Sequence, residues 1–182
     1  RIWTLSCRYF LTGLRSLHCQ GHLLSATMIQ ITEKDKELAR AVWTEVEKDY
    51  RGTGILLFTE LFTTYPDYVK YFERMKSSPD QDIFESARFK KHMVSALFPS
   101  IALMLKNLDH PSELSSQLHE IAVKHKRRGL RRSHFEVLQE VIMTTLKKAF
   151  GEAFTADTES AWNKILTVAF DGISTTIEKT EL

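Results

Sequence analysis

The sequence of 182 residues contains few cysteines, glycines and prolines, and it has no long apolar run. Its two cysteines, Cys7 and Cys19, both lie near the start, so the rest of the chain does not depend on disulfide bonds. No apolar stretch reaches the roughly 20 residues that a membrane-spanning helix needs. A net charge of +2 gives no reason to expect nucleic acid as a partner. Phosphate-loop, nucleophile, zinc and di-iron motifs are also missing, which excludes several common enzyme classes.

Acidic residues are absent from residues 1–32, which hold three arginines and both cysteines. We therefore divide the chain into an N-terminal extension, 1–31, and one domain, 32–182. The basic composition of residues 1–27 is typical of a mitochondrial targeting segment. It is equally compatible with an unstructured tail or an upstream translation before Met28, and ordered structure is a third alternative. The expected location of the protein is the cytoplasm, with mitochondrial import as the alternative.

From Thr32 onwards, apolar residues recur at spacings of three and four, and no segment shows the alternation of a β-strand. The chain is therefore predicted to be all-α. Ser and Thr side chains predict the helix starts, at Thr32, Ser112, Ser133 and Thr155. Glycines predict helix ends at Gly129 and Gly151. We expect Gly52 and Gly54 to interrupt the first helix, so that a second one runs from Ile55 to Thr64; Pro66 should open a short helical turn, and Pro99 should kink the helix around it.

Two histidines lie on apolar helix faces. His125 follows Leu118, Ile121 and Ala122 at i+7, i+4 and i+3 on one face, and His92 lies within a similar stripe between residues 89 and 108. A single histidine in such a place is usually buried and bonded to a carbonyl. Two of them on successive helices are what a planar iron cofactor needs, one on each side of its plane.

Seven residues at these separations resemble the globin family: Trp43, Pro66, Phe72, His92, His125, Phe135 and Trp162. The stretches YPDYVKYF, FKKH and VKHKRRGL are most similar to the neuroglobin and globin X branch. The resemblance implies a globin fold, with about eight helices in a three-over-three sandwich around haem b. It also implies a monomer or weak dimer.

The resemblance further implies roles for individual residues. His125 would be the proximal iron ligand and would donate its other ring N–H to a helix carbonyl, that of Ile121. His92 would be distal, either as a sixth iron ligand or as a hydrogen-bond donor to bound gas. Phe72 would stack on the porphyrin. Four further side chains and Ala96 would line the pocket, Phe58 and Ala96 on the distal side and Leu130, Phe135 and Leu138 on the proximal side. For Phe58, Leu130 and Leu138, plain core packing is an equal alternative.

Two departures from the family pattern matter. Ala96 stands where a branched residue is usual, which would enlarge the distal pocket. Ser95 stands where relatives often place a Lys or Arg that reaches a haem propionate, and Lys90, Lys91 or Arg128 could take its place.

Two classes of function follow from the resemblance. One is reversible binding of O2 and other diatomic gases. The other is redox chemistry: oxidation of NO, reduction of nitrite, or electron transfer. The basic residues after His125 are either a solvated helix end or a docking site for an acidic reductase.

Overall fold

The computed structural model describes residues 29–179, and this part of the chain is helical without a β-strand. Its α-helices are α1 (Glu33–Val46), α2 (Tyr50–Thr64), α3 (Ala87–His92), α4 (Phe98–Lys106), α5 (Pro111–Lys126), α6 (Arg132–Phe150) and α7 (Ala156–Lys179). A π turn (Met93–Leu97) joins α3 to α4 without a break, so the described chain has six helical bodies. The all-α prediction is confirmed. Residues 1–28 of the expected extension lie outside the described residues.

The expected count of about eight helices was wrong because the corner between α2 and α3 forms no α-helix. Three 3-10 turns occupy it, Pro66–Tyr71, Glu73–Met75 and Ile83–Glu85. Pro66 opens the first of these, as predicted, since its fixed φ suits a first helical turn. The polar stretch between the second and third turns has too few apolar residues to bury a helical face.

The core forms around α7, which packs against α1, α5 and α6, while α2 packs against α6. Trp162 of α7 is completely buried, and its ring lies 6.1 Å from that of Trp43 in α1. These two large aromatic rings bury much apolar area at the centre of the domain. His92 of α3 and His125 of α5 lie near each other, close enough for a charge on His125 to lower the pKa of His92.

Capping residues account for several helix ends. Thr32 and Asp35 form the predicted capping box, and the Thr155 hydroxyl accepts a hydrogen bond from the Thr158 N–H. Gly129 and Gly151 have positive φ of 82° and 53° after α5 and α6, as predicted.

Two predicted caps were wrong. Ser112 lies inside α5, where its hydroxyl donates to Glu113, because α5 begins at Pro111, a residue suited to the first helical position. Ser133 lies inside α6, which begins one residue earlier, at Arg132.

The predicted start of the second helix at Ile55 was also wrong, since α2 begins at Tyr50 and includes both glycines. A Cβ on Gly54 would lie 3.0 Å from a ring carbon of Phe98, at the start of α4. Gly54 therefore allows close packing of two helices rather than ending one. The irregularity expected at Pro99 takes the form of the π turn just before it, in which the Phe98 N–H donates to the Met93 carbonyl.

Candidate functional site

His125 lies in the last turn of α5, and one of its ring nitrogens is fixed by a backbone bond. Its Nδ1 is 2.8 Å from the carbonyl oxygen of Ile121, one turn earlier, as predicted. A carbonyl oxygen can only accept, so Nδ1 carries the proton and the lone pair is on Nε2. Burial lowers the pKa of His125 despite this bond, which keeps the ring neutral. The chain thus presents an oriented, neutral imidazole with a free Nε2, which is the form that binds a metal.

The turn after His125 brings Leu130 back beside it. The Leu130 N–H donates to the His125 carbonyl over 3.2 Å, and the Gly129 N–H donates to the Lys126 carbonyl over 2.8 Å. Together these bonds form a Schellman motif, which needs a residue of positive φ such as Gly129. Leu130 is half-buried against the core, consistent with a position on the proximal side.

His92 is the last residue of α3, directly before the π turn. Its ring makes no hydrogen bond to any residue between 29 and 179, unlike that of His125. Burial, together with the positive charge of the nearby His125 and two arginines, lowers its pKa to about 4. His92 is therefore a neutral imidazole without a fixed tautomer. Ala96, one turn later, is exposed, and so is Ser95, so the structure leaves the distal role of Ala96 a prediction.

Aromatic rings surround Phe72 at the corner between α2 and α3. Its ring centroid lies 5.3 Å from that of Phe58, 5.5 Å from that of Phe89 and 6.2 Å from the ring of His92. Phe58 is buried among these rings, whereas Phe72 is only half-buried. The structure thus brings Phe72 next to His92, while Phe58 packs behind it as part of the core.

On the other side of the site, Phe135 of α6 packs against His125. Phe135 is buried, and its ring lies edge-on to His125 with centroids 5.7 Å apart. Leu138, one turn later in α6, is half-buried against the core. Phe135 is therefore brought to the site, and Leu138 lies further along the same helix.

Two clamps hold the corner that carries Phe72. On one side, His134 accepts the Arg131 N–H at Nδ1, so its neutral ring carries a proton on Nε2 and donates to the Tyr71 hydroxyl over 2.6 Å. On the other side, the buried Ser86 hydroxyl donates to the carbonyl of Met75 and also caps α3. Sequence reasoning missed both clamps. They join residues distant in the chain, and only the Ser before the apolar stripe of α3 was a usable signal.

Two arginines lie close enough to both histidines to change their pKa values. Positive charge on Arg74 and on Arg128 lowers the pKa of His92 and that of His125. Burial and the proximity of Arg74 also lower the pKa of Arg128, so the two guanidinium groups lie near each other. Neither forms an ion pair with a carboxylate of residues 29–179. Two like charges held together without an anion are costly, and an anionic ligand would relieve that cost.

These features together fit a haem group. The donor set contains a fixed imidazole with a free Nε2 and a second neutral imidazole on another helix. Phe72 offers a partly exposed ring beside His92. The unpaired Arg74 and Arg128 complement the two carboxylates of a porphyrin. Arg74 was not among the predicted residues, because it lies in a corner whose shape the local pattern does not fix.

An open groove of about 400 Å³ lies elsewhere, between α4 and α5. Leu103 and Gln117 line it with several small and acidic residues, and neither histidine borders it. This groove is separate from the histidine site.

Comparison with known proteins identifies the same family that the sequence resembles. Residues 55–173 match the model of the globin family. The chain is 28% identical to neuroglobin-2 of Oncorhynchus mykiss over 148 residues, which cover 81% of this chain and 92% of that protein. It is 24% identical to cytoglobin-1 of Oryzias latipes over 151 residues, 82% of this chain and 85% of that protein. None of the helices within residues 29–179 is long and apolar enough to cross a membrane.

Proposed function

The chain belongs to the globin family, and from that premise we propose that it holds haem b between His92 and His125 and reversibly binds O2. Haem binding and diatomic gas ligands follow from the family. When bound, the haem iron supplies the axial position at which a gas coordinates. The observation that carries the proposal is the His125 ring, whose Nδ1–H bond to Ile121 leaves Nε2 available as a permanent ligand. The bond also fixes the tautomer in which Nε2 carries the lone pair that would bind iron.

The b type of haem is supported by the cysteines of this chain. Covalent attachment of haem c uses a Cys-x-x-Cys-His motif. The sequence has only Cys7 and Cys19, and neither belongs to such a motif. Haem would therefore be held by its axial ligands, by packing against Phe72 and Phe135, and by the Arg74 and Arg128 pair at its carboxylates.

Six-coordinate iron is the form that we propose in the absence of gas. His92 is neutral, lies next to Phe72 and has no hydrogen bond to residues 29–179 that coordination would have to break. A gas would then have to displace His92, and its apparent affinity would be reduced in proportion to the fraction of molecules in which His92 is not bound to iron. Once displaced, the His92 N–H is available to hydrogen-bond the bound gas.

Redox chemistry is the second candidate function, as NO oxidation, nitrite reduction or electron transfer. A displaceable distal imidazole and the basic residues after His125 favour it, since both suit a protein that is reduced repeatedly by a partner. NO and CO would be alternative ligands, and nitrite an alternative substrate. Turnover of NO and of nitrite by the reduced protein would distinguish this function from simple carriage of O2.

The visible absorption spectrum of the purified protein tests the proposal, first ferric and then reduced with dithionite under argon. Sharp, resolved α and β bands in the reduced form are expected, since they indicate low-spin iron with His92 opposite His125. A single broad band would mean five-coordinate iron and an open distal side, and would favour carriage of O2. No Soret band after reconstitution with haem would overturn the proposal.

A further inference from the structure

Charge is unevenly distributed in this domain. Residues 87–97 and 124–132, which carry the two histidines, hold nine Lys and Arg residues and no Asp or Glu. The rest of residues 29–179 holds 13 Lys and Arg against 22 Asp and Glu. The described chain is therefore neutral as a whole, but it has a strongly positive side at the histidines and a negative remainder. Such a separation creates a field that orients an approaching charged partner.

The cations away from the histidines are mostly neutralised by carboxylates. Lysines and one arginine of α1, the turn after it, α6 and α7 form such ion pairs: Lys34, Lys36, Arg40, Lys48, Lys147, Lys148 and Lys164. An exposed cation beside a carboxylate contributes little to the field at a distance.

Around the histidine site the pattern is different. Six exposed cations there form no ion pair with a carboxylate of residues 29–179, and we call them the cationic surface: Arg74, Arg88, Lys91, Arg127, Arg128 and Arg131. Lys90, Lys124 and Arg132 of the two histidine segments form ion pairs with carboxylates and are not counted in the cationic surface. The unpaired charge is thus concentrated where the haem would be approached.

The members of the cationic surface are placed by the histidine helices. Arg88 lies four residues before His92, on the same side of α3. Arg127 is the C-cap residue of α5 and precedes Arg128, whose charge acts on both histidines. Arg74 reaches both histidines electrostatically from the corner. Three separate parts of the chain therefore contribute positive charge around one site.

We propose that the cationic surface docks an acidic electron-donor protein, which presents a cluster of carboxylates and delivers one electron at a time. This inference rests on the proposed function, because the electron is accepted by the haem. The donor loses one electron and ferric iron gains it, and no covalent bond forms or breaks in either protein. Steering by opposite charge makes such a complex fast to form and weak, as repeated turnover requires.

A protein fits this surface better than a membrane does. Binding at a lipid interface buries an apolar face beside the cations. The exposed large apolar residues of 29–179 are Ile29, Ile55, Val94 and Leu103, and of these only Val94 lies in the two histidine segments.

Binding of an acidic protein to the haem-loaded full chain tests the proposal, with plant-type ferredoxin as the probe and titration calorimetry as the readout. We expect the Kd to rise at least about tenfold between 20 and 300 mM salt, because the contacts are screened. Arg88→Glu/Arg127→Glu should raise the Kd about tenfold at low salt. Arg51→Glu/Lys106→Glu is the matched control, with the same charge change in the first turn of α2 and the last turn of α4. Both cations are exposed and form no ion pair with a carboxylate of residues 29–179, and this variant should change the Kd less than about twofold.

The reduction rate gives a second readout. Reduction of the ferric protein by reduced ferredoxin should slow in Arg88→Glu/Arg127→Glu, whereas reduction by the neutral semiquinone of riboflavin, generated by a light flash, should not. If the protein shows a normal Soret band but its Kd for ferredoxin does not change with salt, the docking inference is overturned while the proposed function stands. The same holds if the Kd is equal in the two double variants. Binding to phosphatidylserine vesicles without binding to ferredoxin would also overturn the docking inference. A chain that takes up no haem would overturn the proposed function as well.

Discussion

The two histidines differ in how the chain holds them. His125 lies in a regular helix, donates to Ile121, and is followed by a helix end whose bonds are all within five residues. His92 lies where an α-helix becomes a π turn, and its ring has no hydrogen bond to residues 29–179. One imidazole is oriented by a hydrogen bond, while no hydrogen bond within residues 29–179 fixes the other. The comparison suggests a permanent ligand on one side of the site and a displaceable one on the other.

His125→Gly should have the largest effect, because it removes the ligand that the chain has already oriented. Haem affinity should fall by more than about 100-fold, since even changes to residues that only orient a metal ligand cost roughly 10 to 100-fold. Retention of the Soret band in a haem-transfer assay measures it. His119→Gly, at an exposed position of the same helix, is the control. Added imidazole should restore binding to His125→Gly; normal haem affinity in this variant would contradict the proximal role.

Acid should destabilise the haem-free protein, chiefly through His92. Burial holds the pKa of His92 near 4, so the unfolded chain binds a proton first as the pH falls below about 6.5. The free energy of unfolding should therefore decline between pH 6.5 and 4, by at most about 3 kcal/mol. Urea unfolding across this range measures it. His92→Leu should flatten the decline and His119→Leu should not; parallel curves for the wild type and His92→Leu would refute the assignment.

His92→Leu should still bind haem but should change the coordination of the iron. The reduced protein should lose its sharp α and β bands, and O2 affinity should rise about tenfold or more, since no imidazole has to be displaced. Visible spectra and O2 equilibrium curves measure both. Lys91→Leu, next to it and exposed, should change neither. Unchanged bands in His92→Leu would mean that His92 does not coordinate.

The surroundings of His125 could be predicted from the sequence better than the surroundings of His92. Around His125 the helix face, the carbonyl of Ile121 and the glycine stop were all predicted, because each follows from residues within one or two turns. Around His92 the helix face was predicted, but the π turn was not. Its extra residue depends on how Pro99 and the close contact of Gly54 with Phe98 are accommodated.

The tertiary contacts of the site were beyond local patterns. Tyr71 and His134 are 63 residues apart, and their bond exists only because the corner after α2 meets the start of α6. Arg74 approaches the histidines for the same reason. The number of helices was overestimated at this corner too, since the family resemblance carried over helices that the local sequence does not form.

Gly129→Ala tests the helix end that follows His125. Gly129 has a φ of 82°, and a Cβ there would meet no atom within 4 Å, so the cost is conformational alone. We expect the free energy of unfolding to fall by about 1 kcal/mol, because a left-handed conformation is strained for alanine. Urea unfolding measures this, and Gly129→Asn, which tolerates that conformation better, should cost less. Equal stabilities for the wild type and both variants would contradict the cap.

Tyr71→Phe tests the corner between α2 and α3, beside His92, and should have the smallest effect. It removes the hydroxyl that accepts from His134 and should cost about 0.5 to 1 kcal/mol of unfolding free energy. The loss also loosens the corner beside Phe72, so haem should dissociate a few-fold faster. Tyr68→Phe, in the same aromatic cluster, is the control. If the clamp acts through one bond, Tyr71→Phe should add nothing to His134→Phe; additive effects would show that the two residues stabilise the corner independently.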